Sequence, residues 1–353
     1  MALQGSGQIS ASQIANEFGY TNGSETRLGS YRTTNGQGNF PVSFGALQFN
    51  SIDAQTGGSV PTSGQIKFSD FYGTRLQQVV NFYGSGRGGN RLIAKDRYNS
   101  GGSNDVNVIG NYRTRPNNSS GTKVHIHVNQ QIGSEKTRVE HCALRTGSWD
   151  SSTTLQVDVG GSGRISGGGG DGGTGAGGGG TPAAEGGGSG TSGLGVQYNP
   201  TTVNVASGGV ITGGFGGGGG GGGAYDTDKE GARTASGGGG GGGAGIPAGA
   251  GGGVNANAGV NGGPGNAGTI SEGGAGGPRA NNDGEAISGE GGDGGEATQS
   301  AGTGVTGTGG EGSTYGGGPG GANGAAIRRN SGFTVNVTNN GSINGVQNAT
   351  TVL

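Results

Sequence analysis

The stretch VNVASGGVITGGFGGGGGGGGAYDTDKEGARTASGGGGGGGAG, residues 203–245, sets the terms for the whole chain. Short β-branched pieces run into eight consecutive glycines at Gly216–Gly223, then a polar insert, then seven more at Gly237–Gly243. The same texture extends from Gly160 to about Ala325, a span that holds 72 of the 97 glycines. Low complexity of this kind is by default a flexible linker, and ordering so many glycines carries a large backbone entropy cost. Collagen needs Gly at every third position with abundant proline. Nine prolines and unbroken glycine runs exclude it, and no regular tripeptide spacing is evident. The ordered alternative is polyglycine II, a helix with three residues per turn, about 3.1 Å rise and no internal hydrogen bonds. Its N–H and C=O groups point sideways and can bond a neighbouring helix only where no Cβ intervenes. Gly is then required at inward positions, and other residues are confined to outer faces and turns. A tract of 11 residues would be roughly 34 Å long.

The punctuation favours order. Glycine tracts alternate with turn-like inserts: Thr181–Glu185, Gln197–Thr202, Ala224–Ser236 and Pro278–Asp283. A motif V-[DN]-V-x-x-x-G-x-I-x-G begins at Val157, Val203 and Val335 without a gap. Each copy reads as strand, glycine turn, strand, and so predicts a hairpin that stacks its Val and Ile side chains at the end of the glycine block. Loops on a rigid scaffold concentrate recognition residues. The candidates are Tyr198, Asn199, Tyr225, Asp226, Asp228, Lys229, Arg233, Arg279, Asn281, Asn282 and Tyr315. Tyr offers a flat amphipathic contact surface, and Arg, Asp and Asn supply directional hydrogen bonds.

Before residue 160 the composition is more ordinary. Only 27% of the chain is hydrophobic, and about half of that lies here. Ser10–Gly19 reads as a short helix with Ser10 as N-cap, Gln13 as its capping-box partner and Gly19 as the stop. Pro61–Gly73 repeats its SGQI tetrapeptide, and Phe40–Phe49 is a further short apolar piece read as a helical turn. From Gln78 the pattern has period two, through Val106–Ile109, Lys123–Val128, Thr137–Leu144 and Leu155–Val159. This predicts an antiparallel β domain of five to seven strands, sandwich-like, with Trp149 at its edge.

Function classes narrow by exclusion. A net charge of −2 gives no general attraction to nucleic acid. One cysteine, Cys142, rules out an internal disulfide. The N-terminus lacks a signal-peptide pattern and no apolar run is long enough to insert in a membrane, so a soluble product made in the cytoplasm is expected. His125 and His127 share a strand face and are weak metal-ligand candidates. With a single copy of that pattern and no carboxylate beside it in sequence, neither metal nor cofactor is expected. Acidic residues such as Glu290 and Asp293 lie among glycines that cannot perturb them, so no enzyme is expected.

Two resemblances follow from these residues. The pair SGQISASQIANEFG at Ser6 and PTSGQIKFSDFYG at Pro61 is similar to short modules near the N-termini of tailed-phage tail and fibre proteins. The alternation of glycine motifs with polar loops over about residues 150–353 resembles the adhesins at the tips of long tail fibres in T-even-like phages. The resemblance implies a virion-attachment segment at 1–80, with Ile14, Phe18, Ile66, Phe68, Phe71 and Tyr72 as packing residues. A β domain at 81–159, a polyglycine II sandwich at 160–325 and a C-terminal β-hairpin at 326–353 complete a chain that is mainly β plus polyglycine II. It also implies a tail location, other tail or fibre proteins and a host surface protein or glycan as partners, and a homotrimer as well as a monomer as an allowed state. The alternative is a purely structural glycine-rich virion or filament protein.

Overall fold

The computed structural model describes residues 3–17, 28, 42–44, 47–56, 60–61, 63–82, 86–87, 123–134, 138–147, 149, 154–228, 231–256, 259–304, 308–309 and 313–352. The expected strand Val106–Ile109 and the helix stop Gly19 lie outside them.

The chain winds into stacked rungs with three faces. The first face stacks Arg75–Phe82, Lys123–Val128, Thr154–Val159, Thr201–Val205 and Val335–Asn339, each parallel to the next. The second stacks Gly86–Arg87, Gln131–Gly133, Arg164–Ser166, Val210–Thr212 and Ser342–Asn344, again parallel. The third stacks Cys142–Arg145, Ser192–Val196, Ile327–Arg329 and Ala349–Thr350. The chain visits the faces in a fixed order, which makes this part a parallel β-solenoid. Alternate side chains point inward, so Ile126, Val157 and Val203 of the first face meet Ile132, Ile165 and Ile211 of the second and Leu144 and Leu194 of the third in one buried core.

The pairing corrects three expectations. The β domain is parallel where it was expected antiparallel, since Lys123–Val128 lies parallel to Thr154–Val159 in register. Strand-turn-strand copies of the V-x-V motif are not hairpins, because the two strands of each copy belong to different faces and pair with neighbouring rungs. Their Ile side chains do align, Ile165 with Ile211 and Ile211 with Ile343. The third copy's first strand is slid by two residues, Val203 meeting Val337, a shift that keeps the same side chains inward. Trp149 is buried in the core rather than at an edge, donating from Nε1 to the Thr146 carbonyl at 2.8 Å. The motif glycine is required for a reason other than a hairpin turn. A Cβ on Gly163 would stand 2.0 Å from the Val128 carbonyl oxygen of the rung beneath, and one on Gly341 2.3 Å from that of Gly209.

Two long insertions leave the solenoid at the same corner, between its second and third faces. One runs from Gly167 to Thr191 and the other from Gly213 to Ala326, with the complete rung 192–212 between them. Their glycine tracts pack side by side. Gly237–Gly245 is the innermost, and its successive N–H groups go to three different neighbours in rotation. Gly237, Gly240 and Gly243 donate to Ala176, Gly173 and Gly170; Gly238, Gly241 and Ala244 donate to Gly289, Gly292 and Gly295; Gly239, Gly242 and Gly245 donate to Gly263, Asn266 and Thr269. The carbonyls accept in the same rotation: from Phe215, Gly218 and Gly221, from Gly249 and Gly252, and from Gly274 and Gly277. The tract is thus ringed by six others. A Cβ on any residue of Gly237–Gly243 would lie 1.8–2.2 Å from a neighbouring carbonyl oxygen, so no other residue fits. Around the rim, non-glycine residues recur every third position on exposed or half-exposed faces: Asp171 and Thr174, Ala275 and Pro278, Glu290 and Asp293, Pro319 and Ala322. A tripeptide spacing, not evident along the sequence, is present there.

At the N-terminus a helix spans Ala11–Glu17. The expected capping box is formed: the Ser10 N–H donates to Gln13 Oε1 at 2.7 Å and the Gln13 N–H to Ser10 Oγ at 3.2 Å. A short 3-10 turn, Phe68–Phe71, packs against it through Ile14, Phe71, Leu3, Ile9 and Val60. Val42–Phe44 and Leu47–Thr56 are antiparallel strands rather than a helical turn, and Leu47–Thr56 extends the first solenoid face.

Substitution separates packed from open glycines. Gly241→Ala places a methyl 1.8 Å from a backbone oxygen, whereas Gly253 has nothing within 4 Å of its Cβ direction. By chemical denaturation, Gly241→Ala is expected to cost at least the ~1–3 kcal/mol of forced overpacking. Gly253→Ala is expected to stabilise by about 0.4–1 kcal/mol through the unfolded chain.

Candidate functional site at the distal loops

Because each insertion leaves the solenoid and comes back to it, its loops fall into two groups. Residues 245–248, 269–272 and 296–299 turn at the solenoid end. There the Ser134 N–H donates to the Ile246 carbonyl at 2.9 Å and Arg164 reaches the Ile270 carbonyl at 2.9 Å. Residues 178–184, 224–228 with 231–236, 254–256 with 259–261, 281–287, and 308–309 with 313–314 lie at the opposite end. The bundle therefore carries one distal cluster of loops.

Two small sheets build that cluster. Ala224–Asp228 and Gly231–Ser236 form an antiparallel hairpin, flanked by Ser313–Thr314 and by Val260–Asn261. Asn281–Asn282, Ala286–Ile287 and Thr308–Gly309 form the second. The turn of the latter is legible in its Asp-Gly pair: Asp283 and Gly284 both have positive φ, 56° and 83°, and the Glu285 N–H returns to the Asn282 carbonyl. The sheets meet over Ala224, Ala235, Ala280 and Ala286, side chains small enough for close approach.

Charge and hydrogen bonds fasten the loops together. Arg233 forms an ion pair with Glu285 and lies 3.9 Å from Asp283 Oδ2. Asn282 Nδ2 donates to the Thr234 carbonyl at 3.3 Å, and Gly259 N–H to Thr234 Oγ1 at 2.7 Å. Asn255 Nδ2 reaches the Gly175 carbonyl at 2.7 Å. Tyr315 lies over Gly180, where a Cβ would fall 2.1 Å from the ring.

The expected recognition residues divide accordingly. Tyr225, Arg279, Asn281, Asn282 and Tyr315 are gathered at the distal end, with Arg279 and Asn281 exposed and the others half-buried. Asp226 and Arg233 are there too, facing each other across the hairpin, but turned inward. Asp226 is 3% exposed, and its Oδ1 has no hydrogen-bond partner among the described residues. Arg233 is a clamp between loops rather than a contact surface. The side chain of Asp228 and all of Lys229 lie outside the described residues. Tyr198 and Asn199 are a correction. They form a solenoid corner, Tyr198 being 5% exposed and part of the core, and Asn199 Oδ1 accepting from the Thr334 N–H at 2.8 Å. Their Tyr-Asn-Pro insert reads like a display loop in sequence but joins two faces of one rung. Thr227 and Asp283 are also exposed at the distal surface; sequence reasoning misses them, because neither stands out from its polar neighbours.

Elsewhere, Ile14, Phe71, Ile66 and Tyr72 share the N-terminal core. Phe68 stands 44% exposed beside it, and Phe18 is outside the described residues. His125 and His127 project from the first solenoid face, and Asp158 of the next rung stands beside them, a carboxylate that sequence proximity does not place there.

A family model described as phage tail fibre adhesin Gp38 matches residues 97–348. No curated protein and no solved structure shows a significant match. Among the described residues no helix is long and apolar enough to cross a membrane.

The one thiol is not built for chemistry. Burial in the solenoid pushes the Cys142 thiol up to about 12. It is expected to resist a thiol-specific reagent at neutral pH in the folded chain and to react stoichiometrically after denaturation; fast labelling of the folded chain would contradict this packing.

Proposed function

Because the chain belongs to the phage tail fibre adhesin Gp38 family, we propose that its distal loops bind a receptor, protein or glycan, on the host-cell surface. The observation that carries this reading is the convergence of five separate loops at one end of the bundle, away from the solenoid. Arg279, Asn281, Tyr225 and Tyr315 supply the contacts, and Asp228 and Lys229 add charge. Arg233 holds the loops in place through Glu285 and Asp283.

We read the tracts as polyglycine II helices. The three-residue rotation of hydrogen-bond partners supports that reading. At roughly 3.1 Å per residue, the tract Gly213–Gly223 would carry the loops about 34 Å from the solenoid. The glycine bundle and an N-terminal attachment module are kept. The β region, however, begins within residues 1–80, because Leu47–Thr56 and Arg75–Phe82 lie on the first solenoid face, and it extends through the rungs. The N-terminal module docks on another tail or fibre protein, and exposed Phe68 is its contact. The innermost tract is ringed by six tracts of its own chain, so the bundle interior closes without a second copy, and a monomer and a homotrimer both accommodate it. Sedimentation of the purified chain separates the two states.

The test uses the full chain on host cells. Arg279→Ala is expected to lower saturable binding at least tenfold, about 1.4 kcal/mol, without changing thermal stability, whereas Asn281→Ala also removes the acceptor for the Gly284 N–H and lowers stability. Arg233→Ala is expected to lower binding and stability together. A folded chain that binds no host cell, or one indifferent to replacement of 224–236 by Gly-Ser, would favour the purely structural alternative.

A further inference from the structure

We propose that His125, His127 and Asp158 form a binding site for a divalent transition-metal cation such as Zn²⁺, on the outer side of the first solenoid face. His125 and His127 alternate on Lys123–Val128 and so point the same way, and the parallel register sets Asp158 directly beside His127. One ligand atom from each of the three lies within 4.8 Å of the others. His127 Nδ1 and Asp158 Oδ2 are 3.6 Å apart, close to the roughly 3.4 Å that separates two donors bound at ~2.1 Å to a common tetrahedral ion.

The surroundings prepare the carboxylate for such a role. Gln156 Nε2 and Asn204 Nδ2 both donate to Asp158 Oδ1, at 2.7 and 2.8 Å. They fix the carboxylate plane and leave Oδ2 turned toward the imidazole, the supporting arrangement that ligating carboxylates use. All three candidate ligands are half-buried. An open cleft of ≈ 350 Å³ lined by His127, Asp158, Asn204 and Thr338 provides an entry path and room for water at the remaining coordination positions. Two imidazoles and one carboxylate suit zinc, copper, nickel or iron rather than magnesium or calcium, which prefer all-oxygen shells. The ion would tie two successive rungs together, far from the distal loops, so its effect is separable from receptor binding.

The full chain, stripped with a chelator and dialysed, is titrated with Zn²⁺ by calorimetry and thermal melting. One equivalent bound with a raised Tm is expected, and no response to Mg²⁺. His127→Ala and Asp158→Asn are each expected to weaken Zn²⁺ binding by at least the ~10–100-fold that a lost supporting partner costs, and Asn336→Ala to leave it unchanged. Circular dichroism checks that each variant keeps the wild-type fold. Co²⁺ added to the wild-type chain tests the site without any variant, because a four-coordinate ion with imidazole ligands absorbs strongly in the visible. Failure of the wild-type chain to bind Zn²⁺, or binding indifferent to both substitutions, overturns the proposal.

Discussion

The structure depends on backbone hydrogen bonds made between glycine tracts at a separation that excludes Cβ. In a helix or sheet the side chains set the distance between elements, and burial of apolar surface holds them. Here the inward positions have no side chain, so the donors and acceptors of one tract are themselves the packing surface. Each of nine consecutive N–H groups from Gly237 to Gly245 finds a carbonyl on an adjacent tract at 2.8–3.1 Å. Pairing every group offsets the desolvation that buried peptide units would otherwise suffer, and it meets the entropy cost of ordering glycine by cooperation across six neighbours.

The solenoid solves the complementary problem of where such a bundle can start. A glycine tract has no hydrophobic face and cannot dock on an apolar core. It can, however, continue the hydrogen bonding of a rung. Ser166 and Thr212, buried at the ends of stacked strands, deliver both insertions from one corner, and Gly167 N–H donates to the Thr212 carbonyl at 3.0 Å as they depart. The Val and Ile ladder beneath is conventional burial, and its parallel register places the first residues of the tracts side by side.

Much of this is readable in the residues, and the failures have physical causes. The Ser10–Gln13 capping box, the need for glycine at inward positions and the alternation of loops with tracts follow from local rules, whereas which loops meet at the distal end is set by tract pairing that no local pattern announces. Parallel rungs read as hairpins because strand, glycine corner, strand describes both; only the partner of each strand differs, and that partner is 46 residues away for Val157 and Val203. Tyr198 is misplaced for the same reason, since a rung corner and a display loop share Asn, Pro and aromatic residues. The three-residue spacing of Asp171 and Thr174 or Glu290 and Asp293 is present in the sequence, but short tracts broken by turns hide a period that becomes plain only when they are laid side by side. Asp158 meets His127 through register alone, which no neighbouring residue announces.

The return of the last tract, Gly316 to Ala325, into Ile327–Arg329 has a consequence for biosynthesis. Gly318, Gly321 and Gly324 donate to Gly220, Gly217 and Gly214, and a few residues later the chain adds strands to all three solenoid faces. The wall of the bundle and the rung that follows it are therefore completed together, after the rest of the bundle has been synthesised. A nascent chain that stops short of this segment leaves the carbonyls of Gly214–Gly220 open along one side and an incomplete stack below. Closure of both folded parts thus depends on the same C-terminal segment, from Gly316 through Thr350, which packs on the bundle and on the solenoid alike.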